Sequence, residues 1–150
     1  MKNFYKLTLA GIIAGVVLAA FLKVIQLLTG NPASILLYNM DYIPFLKKWN
    51  DIIGAGLLFH FITCIVSVVF LFYLLKPFAL ERKVFPYVVT YTVGGGILFF
   101  LSALTETPPA YNDLTAWFYW TAGHALFGII VGILVRYEEV KTISYKQGSK

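Results

Sequence analysis

The sequence predicts an all-α polytopic membrane protein with four transmembrane helices in a bundle. Hydrophobic residues make up 59% of the 150 residues and charged residues only 13%, with a mean hydropathy of +0.78. A soluble domain is nearer half apolar and about a quarter charged, so the excess apolar surface has to face lipid. Four apolar stretches also reach the roughly 20 residues that a helix needs to cross the hydrocarbon core.

The first stretch is interpreted as a retained helix and not as a signal peptide. It lacks a clear small-x-small cleavage site before a polar mature region, and it carries Lys23 and Gln26 near its far end. No soluble domain or long linker separates the stretches, so residues 1–150 are expected to form a single domain. The predicted spans cover residues 7–28, 52–75, 86–105 and 114–135.

Basic residues flank the spans and predict their orientation. Nine of the twelve lie at one side of the predicted bundle: Lys2, Lys6, Lys76, Arg82, Lys83, Arg136, Lys141, Lys146 and Lys150. Lys47 and Lys48 lie at the other side, and Lys23 lies inside the first span. The positive-inside rule therefore predicts an N-in, C-in protein of the cytoplasmic (inner) membrane. The net charge of +5 forms no patch, so the lipid bilayer is the predicted partner and nucleic acid is not.

The two outer loops differ in character. Residues 30–50 are rich in aromatic and apolar side chains, which predicts a segment lying at the membrane interface. Residues 106–113 form a short acidic loop that two prolines make stiff. Asp113 is a candidate N-cap of the fourth helix. Three aromatic residues after it are expected to form a belt at the outer headgroups: Trp117, Tyr119 and Trp120.

Small residues recur at helical spacing in the first and fourth spans. Gly11 and Gly15 form one Gly-x-x-x-Gly motif, and Gly128 and Gly132 form another. Such motifs let helix backbones approach closely. They are expected either inside the bundle or at a dimer contact, so a homo-oligomer or another membrane-protein partner is predicted.

The two histidines are the strongest functional signal. His60 lies about nine residues inward from the outer end of the second span and His124 about eleven inward in the fourth. At about 1.5 Å per residue, both imidazoles should lie near the midplane. Ionisable groups at that depth are costly and indicate a site. The triple glycine 94–96 is expected at the same level, where it could admit a bulky neighbour or bend the helix.

An outer rim of charged residues is predicted above this midplane site. It consists of Lys23, Glu106 and Asp113. Lys23 could pair with Glu106 or extend its ammonium group to the headgroups.

Several chemistries for the histidines stay open at this stage. They could relay protons, ligate a metal or haem from facing helices, or hydrogen-bond a neighbouring carbonyl or hydroxyl group. No carboxylate lies at their depth, the metal is unknown, and no cofactor is predicted. Cys64 is the only cysteine and is expected to be a buried, inert thiol. No catalytic or nucleotide-binding motif is present, so an enzyme is not expected.

Several short motifs resemble those of YagU-type bacterial inner-membrane proteins. They are Leu9 to Val17 followed by Lys23 and Asn31-Pro32, then His60, then Leu104 to Pro109 with Asp113, and finally Gly123-His124. The four-span layout with its closing Gly-x-x-x-Gly is similar, more weakly, to YqhR-type small membrane proteins. The YagU-type resemblance implies a cytoplasmic-membrane protein loosely linked with acid tolerance.

The leading functional hypothesis is a small transport or permeation protein, proton-linked and active in pH or stress tolerance. One alternative is a non-transporting membrane partner or assembly factor. The other is a bundle that binds haem or a metal through both histidines.

Overall fold

The computed structural model describes the backbone of residues 2–147 and the side chains of residues 4–137. Every regular element in that part of the chain is helical, which confirms the predicted fold class. The α-helices are α1 (Lys2–Thr29), α2 (Ala33–Leu36), α3 (Ala55–Leu75), α4 (Val84–Leu98) and α5 (Leu114–Gln147). Short 3₁₀ helices cover Lys47–Trp49, Lys76–Phe78 and Phe99–Leu104.

Four helical segments are long and apolar enough to cross a membrane. Their bounds overlap the predicted spans and differ from them by at most three residues at any end. Helix α3 begins at Ala55, later than residue 52, because Gly54 takes the left-handed conformation with a φ of 85°. Helix α4 begins at Val84, so Pro86 falls in the first turn, where its missing N–H costs no hydrogen bond. The four segments are Phe4–Thr29, Ala55–Phe78, Val84–Leu104 and Leu114–Tyr137.

Helix α1 is central and packs against both α3 and α5. Its two motif glycines lie against α3. A Cβ atom at Gly11 would lie 2.9 Å from the Cα of Ile65, and one at Gly15 would lie 3.1 Å from the Sγ of Cys64. Any larger side chain would therefore push the two backbones apart.

Helices α4 and α5 pack in the same close way. A Cβ atom at Gly128 would lie 2.8 Å from the carbonyl oxygen of Tyr87, and one at Gly132 would lie 2.9 Å from the Cα of Val84. Both Gly-x-x-x-Gly motifs are thus used inside the chain, one of the two locations that the sequence left open. Self-association stays a prediction, but these glycines lie at contacts within one chain and are not available for a contact between two chains.

Helices α3 and α4 make little direct contact, so the spans follow one another in space as α3, α1, α5, α4. One hydrogen bond bridges the gap, from the hydroxyl of Tyr91 to the Oγ of Ser67 at 3.4 Å. The bundle is therefore open along one side, between its second and third spans.

The segment between α1 and α3 covers one end of the bundle, which we call the outer end following the predicted orientation. This segment, residues 30–54, was predicted to lie at the interface over residues 30–50. Its exposed Phe45 and Trp49 fit that prediction, but Leu36, Leu37 and Met40 are buried. These three side chains turn inward because the open end of the bundle offers apolar surface to cover. We call residues 30–54 the lid.

The orientation can be tested with cysteine variants in a Cys64→Ala background. The positive-inside rule places Lys83 on the cytoplasmic side and Asn112 on the opposite side. An impermeant maleimide should therefore label Asn112→Cys in intact spheroplasts, and Lys83→Cys only after the membrane is permeabilised. The reverse pattern would contradict the N-in, C-in topology.

Candidate functional site

The gap between α3 and α4 contains a cavity of about 430 Å³, backed by α1 and α5. Both histidines line it. Its polar wall also includes Thr63, Ser67 and Tyr91, and no Asp, Glu, Lys or Arg side chain of the described residues contributes. The cavity is of the size that small-molecule sites usually have.

The cavity opens sideways between α3 and α4. Three residues at its rim are exposed on the lateral surface of the bundle, between its two ends: Thr63, Thr90 and Leu98. The Tyr91–Ser67 hydrogen bond bounds the cavity toward the inner end, and Leu36, Leu37 and Tyr42 of the lid cover it toward the outer end. A side opening of this kind faces the hydrocarbon when the helices span a bilayer.

His60 is buried and has partners at both ring nitrogens. Its Nε2 lies 3.1 Å from the carbonyl oxygen of Gly15, so this nitrogen carries the proton and donates it across the α1–α3 contact. Its Nδ1 lies 3.7 Å from the Sγ of Cys64, which can donate its thiol proton. The ring of Tyr38 from the lid packs edge-on at 5.9 Å between centroids. His60 therefore joins two helices and the lid.

His124 has a different environment. Its Nδ1 lies 2.8 Å from the carbonyl oxygen of Trp120, one turn earlier in α5, so Nδ1 carries the proton. In the neutral imidazole Nε2 is then an acceptor, and no described residue donates to it. The ring packs against the indole of Trp120 with 4.5 Å between centroids and an angle of 39° between the ring planes. His124 thus brings one free acceptor nitrogen to the cavity wall.

The triple glycine has three separate roles. A Cβ atom at Gly95 would lie 2.6 Å from the Cβ of His124 and would collide with its ring. The histidine therefore fits only because position 95 has no side chain. Gly94 has nothing within 4 Å of such an atom and lines the cavity. Gly96 lies against Thr121 and Trp117 of α5.

Two tryptophans join α5 to these glycines. The indole N–H of Trp120 donates to the carbonyl oxygen of Gly95 at 2.8 Å, and that of Trp117 donates to Gly96 at 3.0 Å. The prediction of an outer aromatic belt was wrong for Trp120, which is buried; Trp117 and Tyr119 are half-buried, and for them the belt stays a prediction. The two indole N–H groups find acceptors on α4 instead of at the headgroups, because the glycines leave the carbonyls within reach.

The predicted outer rim does not form one cluster. The ammonium group of Lys23 donates to the Oε1 of Gln26 at 3.0 Å, and no ion pair joins it to Glu106, which is exposed. Gln26 in turn accepts from the hydroxyl of Ser34 in the lid at 2.9 Å. Asp113 caps α5, as predicted, because its Oδ1 accepts the backbone N–H of Ala116 at 2.9 Å.

A polar cluster fastens the lid to the second outer loop. The buried amide of Asn39 donates to the hydroxyls of Thr105 and Thr107 at 2.8 and 2.7 Å. Thr107 also donates to the Oδ2 of Asp41 at 3.2 Å. Sequence reasoning missed this cluster, since an Asn and two Thr residues 66 and 68 positions away carry no recognisable spacing.

Two tyrosines of the lid face the histidine region. Burial raises the pKa of Tyr38 and of Tyr42 above the usual value of 10.0. Both hydroxyls therefore stay protonated at neutral pH, and the lid adds no negative charge beside the cavity.

Metal ligation has a specific obstacle at His60. Among the described residues no three His, Cys, Asp or Glu side chains lie close enough together to hold a metal ion. A metal bound through the Nε2 of His60 would have to displace the Gly15 carbonyl that this nitrogen already contacts. The haem or metal hypothesis stays a prediction without a contact that favours it.

Comparison with protein-family models, with curated proteins and with solved structures gave no match. The resemblance to YagU-type proteins is therefore still a prediction, and the site has to be interpreted from its own geometry.

Two adjacent glycines of α4 provide a test of the close contact between Gly95 and His124. We expect Gly95→Ala to lower the free energy of unfolding by about 1–3 kcal/mol, because its new methyl group would overlap His124. Gly94→Ala is the matched control and should be neutral or slightly stabilising, since it meets open space and favours the helix. Unfolding in mixed micelles measures both, and equal losses would contradict the assignment.

The lid can be tested through the single cysteine. Asn39→Ala removes an amide that donates two hydrogen bonds in a buried setting, which costs about 1–3 kcal/mol. The lid should open more often, and a water-soluble maleimide should label Cys64 about tenfold faster or more. Asn112→Ala, at an exposed residue of the loop 106–113, is the control and should leave the labelling rate unchanged. An unchanged rate in Asn39→Ala would mean that this cluster does not hold the lid closed.

Proposed function

We propose that the chain is a small multi-pass protein of the bacterial cytoplasmic membrane that moves a small solute through its cavity with proton coupling. The distribution of basic residues supports the cytoplasmic membrane and the orientation. The transport hypothesis is supported by one observation above all: His124 brings an imidazole nitrogen that has no partner among the described residues to a cavity inside the spanning region.

The proposal gives the two histidines separate roles. Both nitrogens of His60 have protein partners, so His60 holds α1 against α3 and shapes the cavity. His124 can take up a proton at Nε2 without breaking a hydrogen bond, because its other nitrogen already donates to Trp120. Imidazole changes charge near physiological pH, which suits a proton-coupled step and a role in pH or stress tolerance.

The cavity wall agrees with a neutral solute. With no charged side chain among its described lining residues, the wall offers no counter-ion to a permanently charged solute. Burying such a charge without a partner is costly. We therefore propose that the solute itself is neutral.

The alternative of a partner-binding assembly factor gains no support from the glycine motifs. Both lie at helix contacts within the chain, where a partner helix cannot reach them. That alternative would need a different interface.

Proton flux in liposomes tests the proposal. We expect the reconstituted protein to conduct protons after a pH jump, as reported by an entrapped pH-sensitive dye. His124→Gln keeps hydrogen-bonding capacity but does not titrate, and it should lower the flux tenfold or more. His60→Gln should lose less, because its amide N–H can still reach Gly15.

Val66→Ala, on the exposed side of α3, is the control and should conduct like the wild type. Flux that survives His124→Gln would contradict the assigned role of His124. No flux with either sign of the pH gradient would contradict the function itself.

A further inference from the structure

Most of the polar groups that line the cavity already donate their hydrogen bonds within the protein. The hydroxyl of Thr63 donates to the carbonyl oxygen of Phe59 at 2.9 Å, and that of Ser67 donates to the carbonyl oxygen of Cys64 at 2.9 Å. The N–H and O–H groups of four further lining residues also have acceptors within the protein: His60, Tyr91, Trp120 and His124.

What remains for a ligand in this region is a set of acceptors. His124 offers the lone pair of Nε2, and Thr63 offers the lone pairs of its hydroxyl oxygen. The lining hydroxyls without an assigned partner belong to Thr90, five residues before Gly95 in α4, and to Tyr42 in the lid. The region around His124 therefore complements a molecule that brings its own donor.

The rest of the wall is apolar. It is formed by Leu18 of α1, Phe59 of α3, Leu98 of α4 and Phe127 of α5, together with lid leucines. Such a wall binds hydrocarbon and rejects a molecule with several polar groups, since each would be buried without a partner.

The route of entry points to the same class of molecule. Both ends of the cavity are covered, by the lid and by the Tyr91–Ser67 bridge, whereas its side between α3 and α4 is open. A molecule that dissolves in the bilayer reaches such an opening directly.

We propose that the cavity binds a neutral, largely apolar molecule with one O–H group, which enters from the bilayer and donates its hydrogen bond to the Nε2 of His124. This inference rests on the proposed function, in that it names the class of solute for the same site. It also gives a role to the difference between the two histidines. Of the two, only His124 has a ring nitrogen without a partner among the described residues.

A pair of brominated probes tests the hydrogen bond. 4-Bromophenol carries the O–H donor, and 4-bromoanisole is the same molecule with that oxygen methylated. Bromine quenches tryptophan fluorescence on contact, and Trp120 packs directly against His124. In a Trp49→Phe background in lipid nanodiscs, the phenol should quench saturably and bind about threefold to tenfold more tightly than the anisole.

Three variants assign the binding to this site. His124→Leu should remove the preference for the phenol, whereas His124→Gln should retain much of it because its amide oxygen is also an acceptor. Gly94→Leu extends a side chain into the open space of the cavity and should abolish saturable quenching by both probes.

Four results would overturn the inference: equal affinity for the two probes, no saturable quenching, an unchanged phenol preference in His124→Leu, or saturable quenching that persists in Gly94→Leu. The binding assay needs no flux, so the two proposals can fail separately. Phenol binding without proton flux would leave this inference and remove the transport function. Proton flux that depends on His124, without phenol binding, would leave the transport function and remove this inference.

Discussion

Close backbone contact at glycine is the constraint on which the remaining structure depends. Lipid removes most of the hydrophobic drive between spanning helices, so packing and interhelical hydrogen bonds have to hold them together. Here α1 meets α3 at Gly11 and Gly15, and α4 meets α5 at Gly128 and Gly132. No comparable pair of surfaces joins α3 to α4. The cavity is the direct result, because two tightly closed pairs leave the remaining side of the bundle open.

The same close contact explains why two similar histidines have different chemistry. Gly15 brings a backbone carbonyl of α1 to His60, which ties up the Nε2 of that ring. Gly95 makes room for the ring of His124 but leaves its hydrogen bond to its own helix, at Trp120. One imidazole therefore holds helices together and the other keeps a nitrogen for a ligand. Residue type would not distinguish them; the partner of each nitrogen does.

The sequence was sufficient for the fold class and for four of the residues that line the cavity, His60, His124, Gly94 and Gly95. Apolar length and helical spacing predicted the four helices and placed His60, His124 and Gly94 toward one level, because both signals are local. The partners of those residues were not predictable in the same way. Trp117 and Trp120 were assigned to the headgroups because their position near the start of a span is typical of a belt. Their actual acceptors lie more than 20 residues earlier in the chain.

The position of the lid is a second feature that the sequence does not determine. Its apolar composition fits either a membrane interface or the open end of a bundle, and composition alone does not separate the two. Long-range contacts place the lid over the cavity: Asn39 donates to Thr105 and Thr107, and the ring of Tyr38 packs against His60.

The short connection between α3 and α4 restrains the inner ends of these two helices more than their outer ends. After the 3₁₀ turn Lys76–Phe78, only residues 79–83 link the inner ends of the two helices. Five residues can span at most about 17 Å, and Ala79 already bends back in a left-handed conformation with a φ of 52°. At the outer ends these two helices have no direct covalent link. The short connection limits how far the inner ends can separate, so a separation of α3 from α4 can be largest at their outer ends, where the lid lies.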